Sequence, residues 1–454
     1  MTRSTLHRTL GPVVALAAAV SVGSDWGISL WSARMPWIPA AYQDVWLTAS
    51  GLGMLVMVVY SRLVARKSPT RPTGSRSPLT IYAGGALLVL LLASTFGATA
   101  PLLGIATVVN VGLGLAASVA VSRDALLARW SLIGFGCLIL LELPLCILQE
   151  TTQSRFQPGA FFRPAQAADA ANLPGAAVLF GPDGLRWQRA LGSFPHPNVL
   201  GGFVAIALVL ALPYLQSLKG NRLALLRAGW CAGWVELVFT FSRAALLAAA
   251  VGCGIWLIGG LVYAPRRSSL GWLALAPIVA LALGGAVAGP YFFPRIAPTS
   301  TLLRTTPIVD RLTIGLVALS LIQTHPLLGV GAGNFTLAEL RPPFDAVSVD
   351  PVHNVPLLVA AEAGLPAGVA WLVIVVGQPI ANWKRRRHDR ASWVWFALPA
   401  AMLTLSFLDH YLWTLPAGRL IFWLGLGIWA AIDAETHPNG SGARSTMDPR
   451  VGVG

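Results

Sequence analysis

The chain has 454 residues, 55% hydrophobic and only 11% charged, with a formal net charge of +14 and a mean hydropathy of +0.67. Soluble domains carry about 25% charged residues, so this chain lacks the polar surface to face water all round. Apolar runs of about 18 or more residues recur along it, each long enough to cross a bilayer as a helix. The roughly ten-residue alternating segments of a membrane barrel are missing. The fold class expected is therefore all-α: a polytopic membrane protein, because backbone polar groups in lipid must pair within the segment.

In chain order, about twelve spans are expected, near 11–29, 45–61, 79–96, 101–121, 130–149, 197–217, 223–241, 244–262, 271–291, 354–380, 392–409 and 418–433. Arg3 and Arg8 precede the first run, which reads as an uncleaved anchor or a signal peptide; its extension through Trp26, Leu30 and Trp31 makes it long for the latter. Basic residues cluster in alternate loops: Arg62 to Arg76, Arg123, Arg129, Lys219, Arg222, Arg227, Arg266, Arg267 and Lys384 to Arg390. By the positive-inside rule those loops and both termini are cytoplasmic. The net charge is thus a topology signal and a membrane-lipid contact, and no nucleic-acid partner is expected. Residues 1–433 form a single membrane domain, and the Gly/Ser/Pro-rich 434–454 a disordered cytoplasmic tail.

Two long loops, about 150–196 and 292–353, fall on the outer side. The second carries a candidate amphipathic helix from about Asp310 to Gln323, with Val309, Leu312, Leu316 and Leu319 at helical spacing, suited to lie along the membrane surface. Cys137, Cys146, Cys231 and Cys253 all lie in apolar segments and read as small packing residues.

The unusual polar residues gather at the outer level. They are Arg189, His196 and Asn198 before the sixth span; Ser242-Arg243 after the seventh; Asp310-Arg311; His325 to Asn334; His353-Asn354; and Asp409-His410. Taken singly, each suits an interfacial anchor or a helix cap; polar groups at membrane depth otherwise have partners or a function. Arginines (Arg189, Arg243, Arg311) bind diphosphate through charge-assisted bidentate hydrogen bonds. A histidine near neutral pKa accepts a proton from an attacking hydroxyl. Together these groups suit glycan transfer from a diphosphate-linked lipid to a hydroxyl. The four histidines His196, His325, His353 and His410 are irregularly spaced with no acidic or cysteine cluster beside them, so no metal is expected, and no other cofactor. Gly329-Val-Gly331-Ala-Gly333 follows no strand, so it reads as a tight turn, not a dinucleotide loop. Ser242 has no nucleophile-elbow context and reads as a helix cap.

The ordered blocks Arg189…Gly192-Ser-Phe-Pro-His-Pro-Asn198, Phe241-Ser-Arg243, Asp310-Arg311…His325-Pro-Leu-Leu-Gly329-Val-Gly-Ala-Gly-Asn334-Phe335 and His353-Asn354…Glu362-Ala-Gly364-Leu365 resemble the O-antigen ligase and O-antigen polymerase superfamily over about residues 185–380. The resemblance implies a metal-independent inverting glycosyltransferase of the bacterial cytoplasmic membrane. It takes glycan from polyprenyl diphosphate on the outer, periplasmic face. Ligases pass it to the sugar of a lipid A core in lipopolysaccharide synthesis, polymerases to another repeat unit, and relatives to protein hydroxyls. By carry-over His353 is the base, and Arg243 and Arg189 hold the diphosphate. Arg311 is a further diphosphate candidate, and His196, Asn198, Asn334, Asn354, Asp409 and His410 are candidate substrate contacts. The Asp409-His410 pair is either an acceptor contact or a competing base. Ligase and polymerase stay open, because the large outer loop carries no motif tied to an acceptor. A polysaccharide or lipid transporter is the rival class, with Glu142 and Glu236 as the main interior carboxylates.

Overall fold

A computed structural model describes the chain except residues 1–2, 25, 35–37, 65–76, 154–177, 181–185, 218, 264–269, 297–300, 342–343, 345–348, 386–391 and 437–454. Most of the expected tail lies outside the described residues. The protein is an all-α membrane bundle with two small hairpins and no closed sheet. In order, α1 (Arg3–Val20) leads into the strand β1 (Gly27–Ser32), the single-turn α2 (Ala40–Gln43) and β2 (Asp44–Thr48). Then come α3 (Ala49–Leu63), α4 (Pro78–Ser94), α5 (Pro101–Arg123) and α6 (Ala125–Thr152). A second hairpin, β3 (Val178–Phe180) and β4 (Arg186–Gln188), precedes α7 (Pro197–Ser217), α8 (Gly220–Phe239), α9 (Arg243–Tyr263) and α10 (Leu270–Ile296). The remainder is α11 (Thr301–Thr324), α12 (Phe335–Glu339), α13 (Val355–Ala363), α14 (Leu365–Arg385), α15 (Ala397–Leu408), α16 (Tyr411–Thr414) and α17 (Pro416–Thr436).

Each expected span overlaps helix, and among the described residues 8 helices are long and apolar enough to cross a membrane. Helix α3, residues 273–289 of α10 and α15 are apolar but shorter. Helix α8 carries Arg222, Arg227 and Glu236. Two helices form the centre. The spans of α7 and α17 are each 89% buried, against 33–50% for the other six, so they are apolar all round because protein surrounds them. Helices α5 and α17 meet through Gly114, where a Cβ would lie 2.0 Å from Trp423 Cδ1, and through Gly427, where it would lie 2.8 Å from Ser118 O. Small residues let backbones approach, which drives helix association where lipid offers no hydrophobic contrast. Outward side chains such as Tyr82, Val89 and Ile278 are exposed and apolar, as a lipid-facing surface requires.

Three expectations need correction. The first span is shorter than the apolar run: α1 ends at Val20, and Trp26 to Trp31 belong to a hairpin in which β1 pairs antiparallel with β2. Residues rich in aromatic and β-branched side chains, with Pro36 and Pro39 between them, favour paired strands over a continued helix. The outer-loop helix is also longer than expected, because α11 begins at Thr301. Its expected apolar face, Val309, Leu312, Leu316 and Leu319, is exposed, while Ile314, Ala318 and Leu321 on the other side are buried.

The tenth span is not one helix, although no interrupted helix was expected. Gly364 has φ +88°, a conformation open to glycine, and ends α13. A Cβ there would lie 2.0 Å from Leu327 O. One on Gly368 would lie 3.0 Å from Pro356 O. Residues twelve apart on a straight helix are separated by about 18 Å, so α13 folds back along α14. The glycine run supplies the turn that seals this break. Val330 N donates to Ala361 O (3.0 Å), Gly331 N to Glu362 O (2.9 Å) and Leu365 N to Pro326 O (2.9 Å), which satisfies α13's terminal carbonyls. Gly329, Gly331 and Gly333 all have positive φ, in keeping with a backbone turn.

Candidate active site

The segment from Arg189 to Ser193 is shaped by one polar stripe on α6. Glu142, Gln149 and Glu150 stand seven and eight residues apart, on one helix face. Ser193 N donates to Glu142 Oε2 (2.7 Å), Gly192 N to Gln149 Oε1 (2.8 Å) and Ala190 N to Glu150 Oε1 (3.1 Å). Gln149 Nε2 returns a bond to Gly192 O (3.0 Å). Buried backbone donors are costly unless paired, and here α6 pairs them. Glu142 is therefore a brace for the loop. Glu236 is fully buried, and neither of its carboxylate oxygens has a hydrogen-bond partner.

This bracing aims Arg189 inward, where it is 4% exposed. Its Nε donates to Thr240 O (2.7 Å) and its Nη2 to Asn198 Oδ1 (2.6 Å). Asn198 in turn donates through Nδ2 to Asp409 Oδ2 (2.7 Å), and Asp409 Oδ1 accepts from the His410 N–H (2.8 Å). A continuous polar chain thus joins Arg189, Asn198, Asp409 and His410 across α7, α15 and α16. His196 completes the turn before α7, its Nδ1 accepting from Asn198 N (3.0 Å).

His353 stands beside this chain. Its ring packs edge-on against His410 at 5.0 Å and 86°. It is half-buried, and its Nδ1 is a buried atom without a hydrogen-bond partner. Asn354 caps α13, its Oδ1 accepting from Leu357 N (3.0 Å), and so fixes where the preceding histidine emerges. His410 Nδ1 is engaged with Thr414 Oγ1 (2.7 Å). Helix α16, which carries these residues, is tied down by Trp413 Nε1 donating to Glu362 Oε2 (2.9 Å) and Arg419 Nη1 donating to Thr414 O (2.9 Å).

Burial sets the protonation of the histidines. It pushes His410 down to about 4, with Asp409 pulling upward and His353 and Arg311 pushing further down. His196 falls to about 3, first by burial and then through Arg189. His353 is lowered too, by burial against the opposing pull of Asp409 and with Arg311 adding to the drop. All three are neutral at pH 7, so each ring has one nitrogen lone pair, and that of His196 already accepts from Asn198 N. Burial alone would raise the Asp409 carboxyl, but His410, His353 and the His410 N–H outweigh it, and the group stays below the usual carboxylate range.

The remaining arginines form the cationic flank. Phe241 takes φ +50°, turning the chain so that Ser242 opens α9: Ser242 Oγ accepts from Ala245 N (3.4 Å). Arg243 follows and is exposed. Arg311, also exposed, interacts electrostatically with Arg243, His353 and His410. Among the described residues neither arginine has a carboxylate at ion-pair distance. Two neighbouring cations with no counter-ion among the described residues are suited to hold an anion.

Residues 228–372 match the model of the O-antigen ligase family. This stretch belongs to the O-antigen ligase/polymerase superfamily. The match over residues 228–372 supports a membrane glycosyltransferase of the O-antigen ligase/polymerase type. No curated protein matches it. The matched stretch contains Arg243, Arg311, His353 and Asn354, whereas Arg189, His196, Asn198, Asp409 and His410 lie on either side of it. Folding brings the flanking residues of this O-antigen ligase relative against the matched ones.

Not every candidate residue joins them. Asn334 is 1% exposed and engaged with backbone: its Oδ1 accepts from Ala100 N (2.7 Å), and its Nδ2 donates to Ala332 O (2.8 Å). It staples α12 to the start of α5 and has no free group for substrate. His325 is exposed at the end of α11 and bonds its neighbour Thr324 (2.9 Å). No acidic cluster was expected beside the histidines, but a single carboxylate, Asp409, stands with two of them. Ligand atoms of His353, Asp409 and His410 all lie within 4.8 Å of one another, a donor set open to a divalent cation. Sequence reasoning missed Tyr42 altogether. Its ring stands edge-on to His410 at 5.9 Å, carried there by the unforeseen hairpin.

Proposed function

We propose that this O-antigen ligase relative transfers a glycan from a polyprenyl-diphosphate carrier to an acceptor hydroxyl, on the outer face of a bacterial cytoplasmic membrane, with both termini in the cytoplasm. The observation that carries the reading is the neutral, half-buried His353 between an anionic Asp409 and the unpaired Arg243–Arg311 flank. His353 takes the proton of the acceptor hydroxyl. The acceptor oxygen bonds to the anomeric carbon as its bond to the phosphate oxygen breaks, and polyprenyl diphosphate departs with both electrons of that bond. Arg243, Arg311 and Arg189 hold the diphosphate and stabilise the charge that grows on it. The polyprenyl tail enters from lipid between helices.

His410 is the weaker candidate for base: it is 7% exposed and its Nδ1 is engaged by Thr414. It supports His353 through ring contact. The reaction needs no metal on this reading, because arginine supplies the positive charge.

Reconstitution tests the proposal. The purified chain in liposomes, given a polyprenyl-diphosphate oligosaccharide and a glycolipid acceptor, forms a new glycosidic linkage, and chelator leaves the rate unchanged. Chelator-sensitive transfer assigns His353, Asp409 and His410 to a metal and overturns the arginine-only mechanism. Movement of donor across the bilayer with no new linkage favours the transporter reading, for which the broken α13–α14 helix and the unpartnered Glu236 are the supporting features.

A further inference from the structure

The site is divided by charge. Arg243 and Arg311 occupy one flank. On the other, Tyr42 stands beside His410, and Asp350 acts on Tyr42, Glu339 and His353. Two elements distant in sequence build this second flank. Tyr42 sits on α2, within the β1–β2 hairpin. That turn is braced by Gln43 Nε2 donating to Ile38 O (2.6 Å) and Trp46 Nε1 donating to Ala40 O (3.2 Å). Glu339 ends α12, the helix stapled by Asn334. Between them lies a small second core of Ile38, Ala100, Leu103, Leu337 and Val349, against which Tyr42 packs.

Glu339 is the telling residue. It has no exposed surface, yet neither carboxylate oxygen has a hydrogen-bond partner. A buried carboxyl left unpaired is costly, so such a group calls for a ligand or a role.

We propose that Tyr42, Glu339 and Asp350 form the acceptor subsite, and that it takes a sugar terminus bearing neither phosphate nor carboxylate. This deepens the glycosyltransferase reading and rests on it. A hydroxyl both donates and accepts hydrogen bonds, and a carboxyl can answer it either way. Burial and Asp350 push Glu339 up to about 9, so at neutral pH it is protonated and offers an O–H as well as an acceptor oxygen. The Tyr42 ring offers an apolar face to the C–H side of a pyranose. An anionic substituent next to the attacking hydroxyl would instead meet Asp350 and Asp409, and like charges raise the cost of binding. The same opposition keeps the donor's diphosphate on the arginine flank, so the acceptor hydroxyl and the leaving diphosphate take opposite sides of the anomeric carbon, as in-line displacement with inversion requires.

The test uses the full chain in liposomes with a polyprenyl-diphosphate oligosaccharide and two acceptors, a neutral glycolipid and the same lipid with a phosphate monoester on its terminal sugar. The wild type uses the neutral acceptor at least tenfold better in kcat/KM. Glu339→Leu and Tyr42→Ala each raise the KM for the neutral acceptor about tenfold while donor KM holds. Asp350→Lys narrows or reverses the preference against phosphate. Should Glu339→Leu not fold, Asp350→Asn at the half-exposed position reads the same KM. Equal use of both acceptors, or unchanged acceptor KM in these variants, overturns the subsite while the transferase reading stands. No transfer to either acceptor, together with no cross-linking by a photoactivatable polyprenyl diphosphate, overturns both.

Discussion

Among the described residues, two groupings of histidine, aspartate and tyrosine stand at opposite ends of the bundle, and they differ in exposure and in the charge around them. Helix α6, 28 residues and so about 42 Å long, separates them. At its start His7 is 1% exposed; its Nδ1 bonds Tyr60 Oη (2.7 Å) and its Nε2 lies 3.3 Å from Asp124 Oδ2. Asp124 also caps α6 through Leu126 N and Leu127 N. Every neighbour named comes from α1, α3 or the α6 cap, and His7 Nε2 faces Asp124 without a hydrogen bond. Toward the far end, α6 braces the Arg189 segment that leads to Asp409. There His353 is half-buried with a ring nitrogen unpartnered, and among the described residues Arg243 and Arg311 have no carboxylate at ion-pair distance. The same residue types make a tether in one place and the proposed reaction centre in the other, and the half-buried histidine under the influence of Arg311 marks the second.

The sharpest way to break this contrast is to remove one histidine from each cluster. His353→Ala should lower transfer by about a hundred- to ten-thousandfold, the contribution of a positioned base, with unfolding in detergent close to wild type. His7→Ala should do the opposite, lowering the unfolding temperature while turnover per folded molecule holds. The pair of unfolding curves and rates decides the matter, and normal turnover in folded His353→Ala ends the base assignment.

A smaller effect probes how Asp409 acts. Asp409→Asn keeps the shape but removes the anion, costing about tenfold in kcat if one charge-assisted hydrogen bond is weakened. Its signature is in the pH profile. His353 sits below its ordinary value, so wild-type transfer should stay level as pH falls through 6.5 and drop only where the imidazole gains its proton. Asp409 raises that value; without it the acid limb moves to lower pH. A residue that serves packing alone would leave the limb in place.

The bundle was readable because each membrane segment announces itself by composition. Backbone breaks do not. Gly364 lies in an apolar run that hydropathy reads as continuous, and only the positive φ and the approach of Leu327 O reveal that the chain reverses there. Trp26 to Trp31 misled for the same reason: aromatic strands of a hairpin add to hydropathy as a helix would. In the site, Arg189, His196 and Asn198 are neighbours in sequence and were legible together. The Asn198–Asp409 bond spans 211 residues, and no local pattern encodes it. Asn334 looked functional because it stands in a motif, but its geometry serves the backbone. Tyr42 and Glu339 had no signal at all, since neither type is unusual in a loop.

The mildest perturbation tests the His7 cluster. Asp124 has two functions there, capping α6 and facing His7, and two substitutions separate them. Asp124→Ala removes both, and a lost N-cap costs about 1 kcal/mol. Asp124→Asn keeps an oxygen for Leu126 N and Leu127 N and loses only the charge opposite His7. If the cap dominates, Asn restores most of the unfolding temperature lost in Ala; if the pairing with His7 dominates, the two variants fall together. In either case transfer per folded molecule should equal wild type, because the far end of α6 still holds Ala190, Gly192 and Ser193 through Glu150, Gln149 and Glu142. A folded Asp124→Ala protein with greatly reduced turnover would mean that α6 couples its two ends, and that the His7 cluster serves catalysis as well as folding.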